Sequence, residues 1–85
     1  MRGKPIDVAL VFDRATAAWA KGREWHPSQR LEQMNSIDLK MFLSVADTTE
    51  LTGWILSFGA GVRVAAPAAL RDKVRAEAKK IFEQG

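Results

Sequence analysis

The segment Trp25-His26-Pro27-Ser28-Gln29 gathers the side chains in this chain that are best suited to binding a ligand. Proline biases the residue before it toward an extended backbone, and one loop then offers indole, imidazole, hydroxyl and amide groups for stacking and hydrogen bonding. Two interpretations stay open: a ligand contact, or an indole that closes the bottom of the core while the polar groups satisfy the loop backbone. The candidate ligand-binding residues are Trp25, His26, Ser28, Gln29 and Arg30.

Basic residues recur at helical spacing near the C-terminus. Arg71, Arg75 and Lys79 are four residues apart, which places them in one stripe on a helix. A solvated helix face and a contact with an anionic polymer both show this pattern. The net charge of +3 permits an anionic partner without requiring one. The candidate anion-contacting or nucleic-acid-contacting residues are Arg63, Arg71, Arg75 and Lys79.

Residues for catalysis or metal binding are sparse. The chain has one His and no Cys, which excludes disulfides, thiolate sites and structural zinc. His26 is not accompanied by the Ser-containing elbow of a nucleophile-base pair, and the acidic residues are scattered. An acylphosphatase-like enzyme needs an anion cradle after its first strand, where Asp13 would repel a phosphate. We expect no enzymatic activity, no catalytic residues, no cofactor and no metal.

Alternation of apolar and polar residues predicts four strands, over 7–12, 29–34, 37–45 and 61–66. Asn35-Ser36 is expected to turn the second strand back into the third as a hairpin. The odd-numbered residues of the third strand should face the core, which suits a central strand. Val11 and Phe42 then lie on the opposite face of the sheet. They form the candidate dimer face, because helices on one side leave the other side uncovered.

Three helices are predicted between and after these strands. Asp13 is placed to cap the first, which Gly22 ends, and Asp47 with Glu50 forms a capping-box pattern before the second. Pro67 stands near the start of the third. The helical spacing places on one side of each helix Ala15, Ala18 and Trp19 in the first, Leu51, Trp54, Ile55 and Phe58 in the second, and Leu70, Val74, Ala78 and Ile81 in the third. Trp19, Trp54, Ile55 and Phe58 are expected in the core.

The order of these elements predicts an α+β fold. Strand, helix, strand, strand, helix, strand is the ferredoxin-like split βαβ arrangement with an antiparallel sheet, here with an added C-terminal helix. Residues 1–5 are expected to be linker and residues 6–85 a single ferredoxin-like domain, too small for a deep enclosed active site. Without an apolar run of membrane-spanning length or a signal-peptide stretch, we expect a cytoplasmic protein.

Three motifs resemble a known family. They are Trp-His-Pro-Ser-Gln at 25–29, Ala-Asp-Thr-x-Glu-Leu-x-Gly-Trp-Ile-Leu-Ser-Phe-Gly-Ala at 46–60, and Val-Arg-Val followed by Pro67 and Leu70. Together they resemble the C-terminal extension, or WCX domain, of bacterial WYL-domain transcriptional regulators. The resemblance covers nearly all of residues 6–83, and the segment around Trp54, Phe58 and Gly59 is its most specific part.

The resemblance implies a regulatory role. Members combine a helix-turn-helix that binds DNA, a WYL domain that senses an effector, and this extension, which helps to form the dimer and closes over the effector. It therefore implies a homodimeric fragment of a larger regulator of transcription, whose partners are the WYL and helix-turn-helix domains of the full-length chain. Its effector would be a single-stranded nucleic acid or another anion, contacted by the residues around Trp25. One departure is Asn35-Ser36, where members often have a Gly.

The alternative function is a stand-alone domain that binds single-stranded nucleic acid. RNA-recognition domains share this topology and stack bases on aromatic residues of the open sheet face. Here that face is predicted to carry Lys40, Phe42 and Ser44, with one aromatic residue among them. Duplex DNA should bind weakly and without sequence preference, because no helix combines a basic face with side chains spaced to read bases.

Overall fold

The computed structural model describes residues 5–22, 24–34 and 38–84. Its elements are β1 (Ile6–Phe12), α1 (Arg14–Lys21), β2 (Arg30–Gln33), β3 (Leu39–Val45), α2 (Thr49–Leu56), a 3-10 turn (Gly59–Gly61), β4 (Val62–Ala66) and α3 (Ala68–Gln84). This order confirms the predicted ferredoxin-like α+β fold with an added C-terminal helix.

The strands form an antiparallel sheet in the order β2-β3-β1-β4. Within the described ranges, β1 and β3 are therefore the central strands and β2 and β4 the edges. β2 and β3 pair antiparallel, as the predicted hairpin requires. The Asn35-Ser36 turn itself lies outside the described residues. Leu10, in the middle of β1, stands opposite Met41 of β3 and Val64 of β4.

The hydrophobic core lies on one face of this sheet, under the helices. Residues 39, 41, 43 and 45 of β3 are buried, which confirms the alternation predicted there, while residue 37 lies outside the described ranges. Burying one large apolar side chain contributes roughly 1.5–3 kcal/mol. The largest fully buried side chains are Phe12, Leu10, Met41, Ile55 and Val8.

The two predicted helix caps differ in the structure. The Oδ1 of Asp13 accepts the backbone N–H of Thr16 at 2.9 Å and caps α1, as predicted. Asp47 stands one residue before Thr48, the N-cap of α2, and its Oδ1 accepts the backbone N–H and the hydroxyl of Thr49, both at 2.8 Å. The predicted capping box was therefore wrong, because the turn at Thr48 moves the helix start by one residue.

The first helix packs through a different side from the predicted one. Ala17 and Ala20 are buried, whereas Trp19 is 72% exposed. The expectation that Trp19 packs in the core beside Ala15 and Ala18 was wrong, since those two alanines are exposed as well. Small side chains at the interface let a two-turn helix approach β1 closely, and an indole there would hold the helix away from the sheet.

Two glycines shape the chain between α2 and β4. Gly59 has a φ of 61°, in the left-handed region that favours glycine. Gly61 lies so close to Thr16 that a Cβ would collide with the threonine side chain. The backbone N–H of Asp13 also donates to the Gly61 carbonyl at 2.9 Å. The start of α1 and the start of β4 are therefore fixed against each other.

Only the first half of α3 packs against the rest of the domain. It contacts β4 and α2, with Leu70 in the core and Val74 half-buried. Further along, Ile81 and Phe82 are 58% and 85% exposed, so the apolar side predicted through Ala78 and Ile81 extends beyond the sheet. None of the helices in the described ranges is long and apolar enough to cross a membrane.

The sheet face opposite the helices is less open than predicted. Val11 and Ala9 are only 4% and 9% exposed, so the expectation that Val11 offers an uncovered apolar surface was wrong. The register places Lys40 and Arg63 beside Val11, and Phe42 beside Ala9, and these longer side chains cover the smaller ones. Of the two residues of the candidate dimer face, only Phe42 keeps part of its surface accessible.

Candidate functional site

A cavity of about 470 Å³ opens between the loop 24–29, the end of β3 and α2. We call it the aromatic cavity, because Trp25 and Trp54 form its wall. Its lining residues are Trp25, His26, Leu43, Val45, Ala46, Asp47, Glu50, Leu51 and Trp54. Leu43 and Val45 come from the core-facing side of β3, so the floor of the cavity is apolar. The predicted ligand loop therefore does border a cavity, although a shallow one.

The two tryptophans belong to a cluster of aromatic rings. Their centroids are 5.1 Å apart, and Phe58 lies 5.0 Å from Trp54 and 6.0 Å from Trp25, each time edge-on. Phe12 in β1 contacts Phe58 at 5.4 Å and ties the cluster to the sheet. Such pairs contribute ~0.5–1.5 kcal/mol beyond area burial. Trp25 thus packs against the core and also borders the cavity. The first contact agrees with an indole that closes the core, and the second leaves room for a ligand contact.

The indole N–H of Trp54 has an unusual environment. Its Nε1 is buried and has no hydrogen-bond partner among the described residues. Leaving a buried donor unpaired costs about 1–3 kcal/mol, which the packing of this ring in the aromatic cluster has to offset.

Hydrogen bonds hold the loop beside the cavity. The Oε1 of Gln29 accepts the backbone N–H of Trp25 at 2.7 Å. The Nδ1 of His26 lies 3.1 Å from the backbone nitrogen of Ser28, which donates to it, and 2.7 Å from the Ser28 hydroxyl. That hydroxyl also accepts the N–H of Ser44 at 2.8 Å and donates to its carbonyl at 3.2 Å. Ser28 therefore fixes the loop on β3 and Gln29 bonds within the loop, and neither residue lines the cavity.

Two carboxylates, Asp47 and Glu50, give the cavity its charge. Hydrogen bonds from the backbone N–H and the hydroxyl of Thr49 hold the pKa of Asp47 below its ordinary value of 3.8, and the charge of Lys73 lowers that pKa further. Asp47 is therefore ionised at neutral pH. Carboxylates beside indole faces suit a cation or an N–H donor and repel an anion. In the described ranges, no group of His, Cys, Asp or Glu side chains is arranged to hold a metal.

Arg30 lies away from this cavity, on the opposite face of the sheet. It stands on β2 opposite Phe42, with the guanidinium carbon 4.6 Å from the ring centroid. The Nζ of Lys40 lies 5.2 Å from the same ring. The five predicted ligand-binding residues are thus divided by the structure. Trp25 and His26 line the cavity. Ser28 and Gln29 hold the loop, and Arg30 lies over the ring of Phe42.

The residues predicted to contact anions gather at a second groove, of about 390 Å³, between β4 and α3. We call it the basic groove. Its cations are Arg63 of β4 and Arg71 and Arg75 of α3, and Lys79 lies one turn further along the helix, outside the lining. Its apolar lining consists of Ile55, Val62, Val64, Ala65 and Val74.

Sequence reasoning missed Asp47 and Glu50 as cavity residues. Their spacing was interpreted only as a helix start, although the motif that carries the family resemblance contains both. No local sequence pattern predicts that the loop 24–29 lies against the first turn of α2. That contact follows from the packing of Trp25 on Trp54, which is a tertiary interaction.

A comparison with family models identifies the chain. The model of the WCX domain matches residues 4–82, which include every strand, the aromatic cavity and the basic groove. No curated protein matches the chain. Because the family match extends over far more than half of the sequence, the chain belongs to the WCX domain family.

Proposed function

We propose that this chain is a non-catalytic regulatory domain of a WYL-type transcriptional regulator, in which it contributes to dimerisation and forms part of an effector-binding site. Membership of the WCX family supports the regulatory assignment at a coarse level. The observation that carries the effector site is the aromatic cavity, where the loop of Trp25 and His26 meets the start of α2.

The lining of this cavity favours one kind of effector group. Two indoles line the cavity and suit contact with a planar ring or a cation, and the carboxylates of Asp47 and Glu50 attract positive charge and N–H donors. A free anion is repelled by the same carboxylates. If the effector is a single-stranded nucleic acid, as the resemblance implies, its bases rather than its phosphates would enter this cavity.

The test uses two probes that share one ring and differ in the sign of their charge, benzyltrimethylammonium and benzylsulfonate. A Trp19→Phe background removes the exposed indole, so that fluorescence reports Trp25 and Trp54. We expect the ammonium probe to change the emission saturably and the sulfonate to bind at least about fivefold more weakly. Equal responses, or none to either probe, would contradict the proposed site.

A matched pair of variants controls this experiment. Glu50→Gln removes one charge from the cavity and should weaken binding of the ammonium probe about threefold to tenfold. Glu83→Gln makes the same change at the exposed end of α3 and should leave the affinity unchanged. If both variants behave alike, the effect is one of net charge and not of this cavity.

The dimerisation part of the proposal is supported by Phe42, which stays partly accessible on the sheet face without helices. The edge strands offer a second route, because an uncovered edge can pair with another chain. Analytical ultracentrifugation at protein concentrations on the order of hundreds of micromolar should show a dimer, because a weak association is populated in that range. A monomer throughout that range would remove this part of the proposal and leave the effector site untouched.

The alternative function, binding of single-stranded nucleic acid, is favoured by one specific observation. The guanidinium carbon of Arg30 lies 4.6 Å and the Nζ of Lys40 lies 5.2 Å from the centroid of the Phe42 ring, so a base would reach this ring by displacing a cation from it. A base stacked on such a ring contributes ~1–3 kcal/mol, and the cations pair with phosphates. Titration of the chain with single-stranded and duplex oligonucleotides at about 50 and about 200 mM salt tests it. Phe42→Ala should weaken single-strand binding if this face carries it.

A further inference from the structure

The outer edge of β4 borders the basic groove. In the described part of the chain, β4 pairs only with β1, and α3 turns back beside it after Pro67. A groove between an edge strand and a helix is where extended peptides join a sheet as an added strand, with backbone hydrogen bonds supplying affinity and side-chain pockets supplying specificity.

The register shows which backbone groups face this groove. The N–H of Asp13 donates to the carbonyl of Gly61 at 2.9 Å, and Arg63 stands opposite Val11 in the same ladder. Because hydrogen-bonding groups alternate along an antiparallel strand, those of Arg63 point toward β1 and those of Val62 and Val64 point outward. Val62 and Val64 therefore present donors and acceptors to another strand, up to the register shift between Ala9 and Leu10 that leaves Ala65 without a partner in the ladder.

Side chains around this edge select for charge. Arg63, Arg71 and Arg75 surround it, and Val74 and Ile55 give it an apolar floor. A second copy of the chain paired along β4 would bring the same three cations together, and like charges across a strand pair are destabilising. Carboxylates are instead the groups that guanidinium binds with two parallel hydrogen bonds.

We propose that the basic groove binds an extended acidic segment of a partner protein, which adds as a strand beside β4. Side chains of the segment on the helix side would be carboxylates that pair with Arg71 and Arg75, and those on the opposite face would be apolar and lie along the aliphatic part of Arg63. This partner surface is independent of the aromatic cavity, so it stands or falls without the proposed effector site.

The probe is a short fluorescent peptide of alternating Val and Glu. A peptide of the same sequence with N-methylated backbone on its pairing edge cannot form the ladder, and one with Lys in place of Glu has the wrong charge. We expect only the unmodified acidic peptide to bind. Hydrogen exchange should slow at the amides of Val62 and Val64 and stay unchanged at Arg63, whose N–H already faces β1.

Two charge reversals on α3 provide the matched comparison. Arg75→Glu should weaken peptide binding about tenfold or more. Lys80→Glu makes the same change in net charge nine residues after Arg71, on the opposite side of the helix by its periodicity of 3.6 residues per turn, and should change the affinity less than about twofold. Both positions are exposed, and the surface ion pair that Lys80 loses, with Glu77 at 3.9 Å, contributes little to stability, so we expect both variants to fold.

Three results would overturn the proposal. Equal binding of the N-methylated peptide would show attraction without strand addition. Slow exchange at Val62 and Val64 without peptide, together with a dimer in sedimentation, would show that a second copy occupies the edge. A single-stranded oligonucleotide that displaces the peptide and is itself weakened by Arg75→Glu would show that the groove serves phosphates instead.

Discussion

The aromatic cavity and the basic groove lie on two sides of the same helix. Trp54 of α2 lines the first and the next residue, Ile55, lines the second. One is edged by two carboxylates and walled by indoles, whereas the other carries three guanidinium groups over an aliphatic floor. They are of similar size, so charge and ring chemistry, not volume, distinguish what each can bind. Adjacent positions on one short helix can thus serve two unlike partners.

The largest effect is expected from Trp54→Ala. Trp54 contacts Phe12, Trp25 and Phe58, and its loss should lower the free energy of unfolding by about 3–5 kcal/mol. The control is Trp19→Ala, at a position that is 72% exposed, which should stay within about 0.5 kcal/mol of the original chain. Urea unfolding followed by circular dichroism measures both. If Trp54→Ala destabilises the chain as little as Trp19→Ala does, the wall of the cavity is not part of the core.

A smaller effect should separate the two sites. Ser28→Ala removes the hydroxyl that bonds both backbone groups of Ser44, at 2.8 and 3.2 Å, and should cost about 1–2 kcal/mol. Hydrogen exchange at the Ser44 amide should become faster. Binding of the ammonium probe to the aromatic cavity should weaken while binding of the acidic peptide to the basic groove stays the same. A parallel loss at both sites would mean that the loop supports the whole domain.

The smallest effect is expected from pH. Asp13 and Asp47 have pKa values below 3.8, because backbone N–H groups of Thr16 and Thr49 donate to them. A lowered pKa in the folded state stabilises the fold above 3.8, and this contribution is lost as the pH falls below that value.

Melting temperatures between about pH 5 and about pH 2 should therefore fall less in Asp47→Asn than in the original chain. Protonation of Asp47 in acid should also weaken the preference of the cavity for the ammonium probe. A variant that loses as much melting temperature as the original chain would show that Asp47 plays no part in the acid response.

The sequence predicts those parts of the fold that leave a regular pattern. Alternation along β3 and the cap at Asp13 are confirmed because each depends on neighbours in the chain. The buried side of α1 is not predictable in this way, since alanines occur all round the helix and the tryptophan draws the prediction to the wrong side. Which side of α1 is buried depends on how closely the helix approaches β1, and this distance is set by tertiary packing.

The residues of the candidate site also fall into those that local sequence identifies and those that only tertiary packing brings together. The loop of Trp25 and His26 is identifiable from its residue types, and it does border a cavity. Asp47 and Glu50 join it only because the two tryptophans pack together across the domain. The basic groove likewise requires β4 and α3 to fold back on each other, which brings Arg63 beside Arg71.

The hydroxyl of Ser28 also protects the sheet against unwanted pairing. Strand β2 begins at Arg30, opposite Phe42, and Ser28 stands where the next pairing position, opposite Ser44, would be. By satisfying both the N–H and the carbonyl of Ser44, one side chain takes the place of a strand residue. An edge whose polar groups are already bonded is a poor template for aggregation. The end of β3 that extends past β2 is therefore closed to other chains, whereas β2 and β4 remain the edges of the sheet in the described part of the chain.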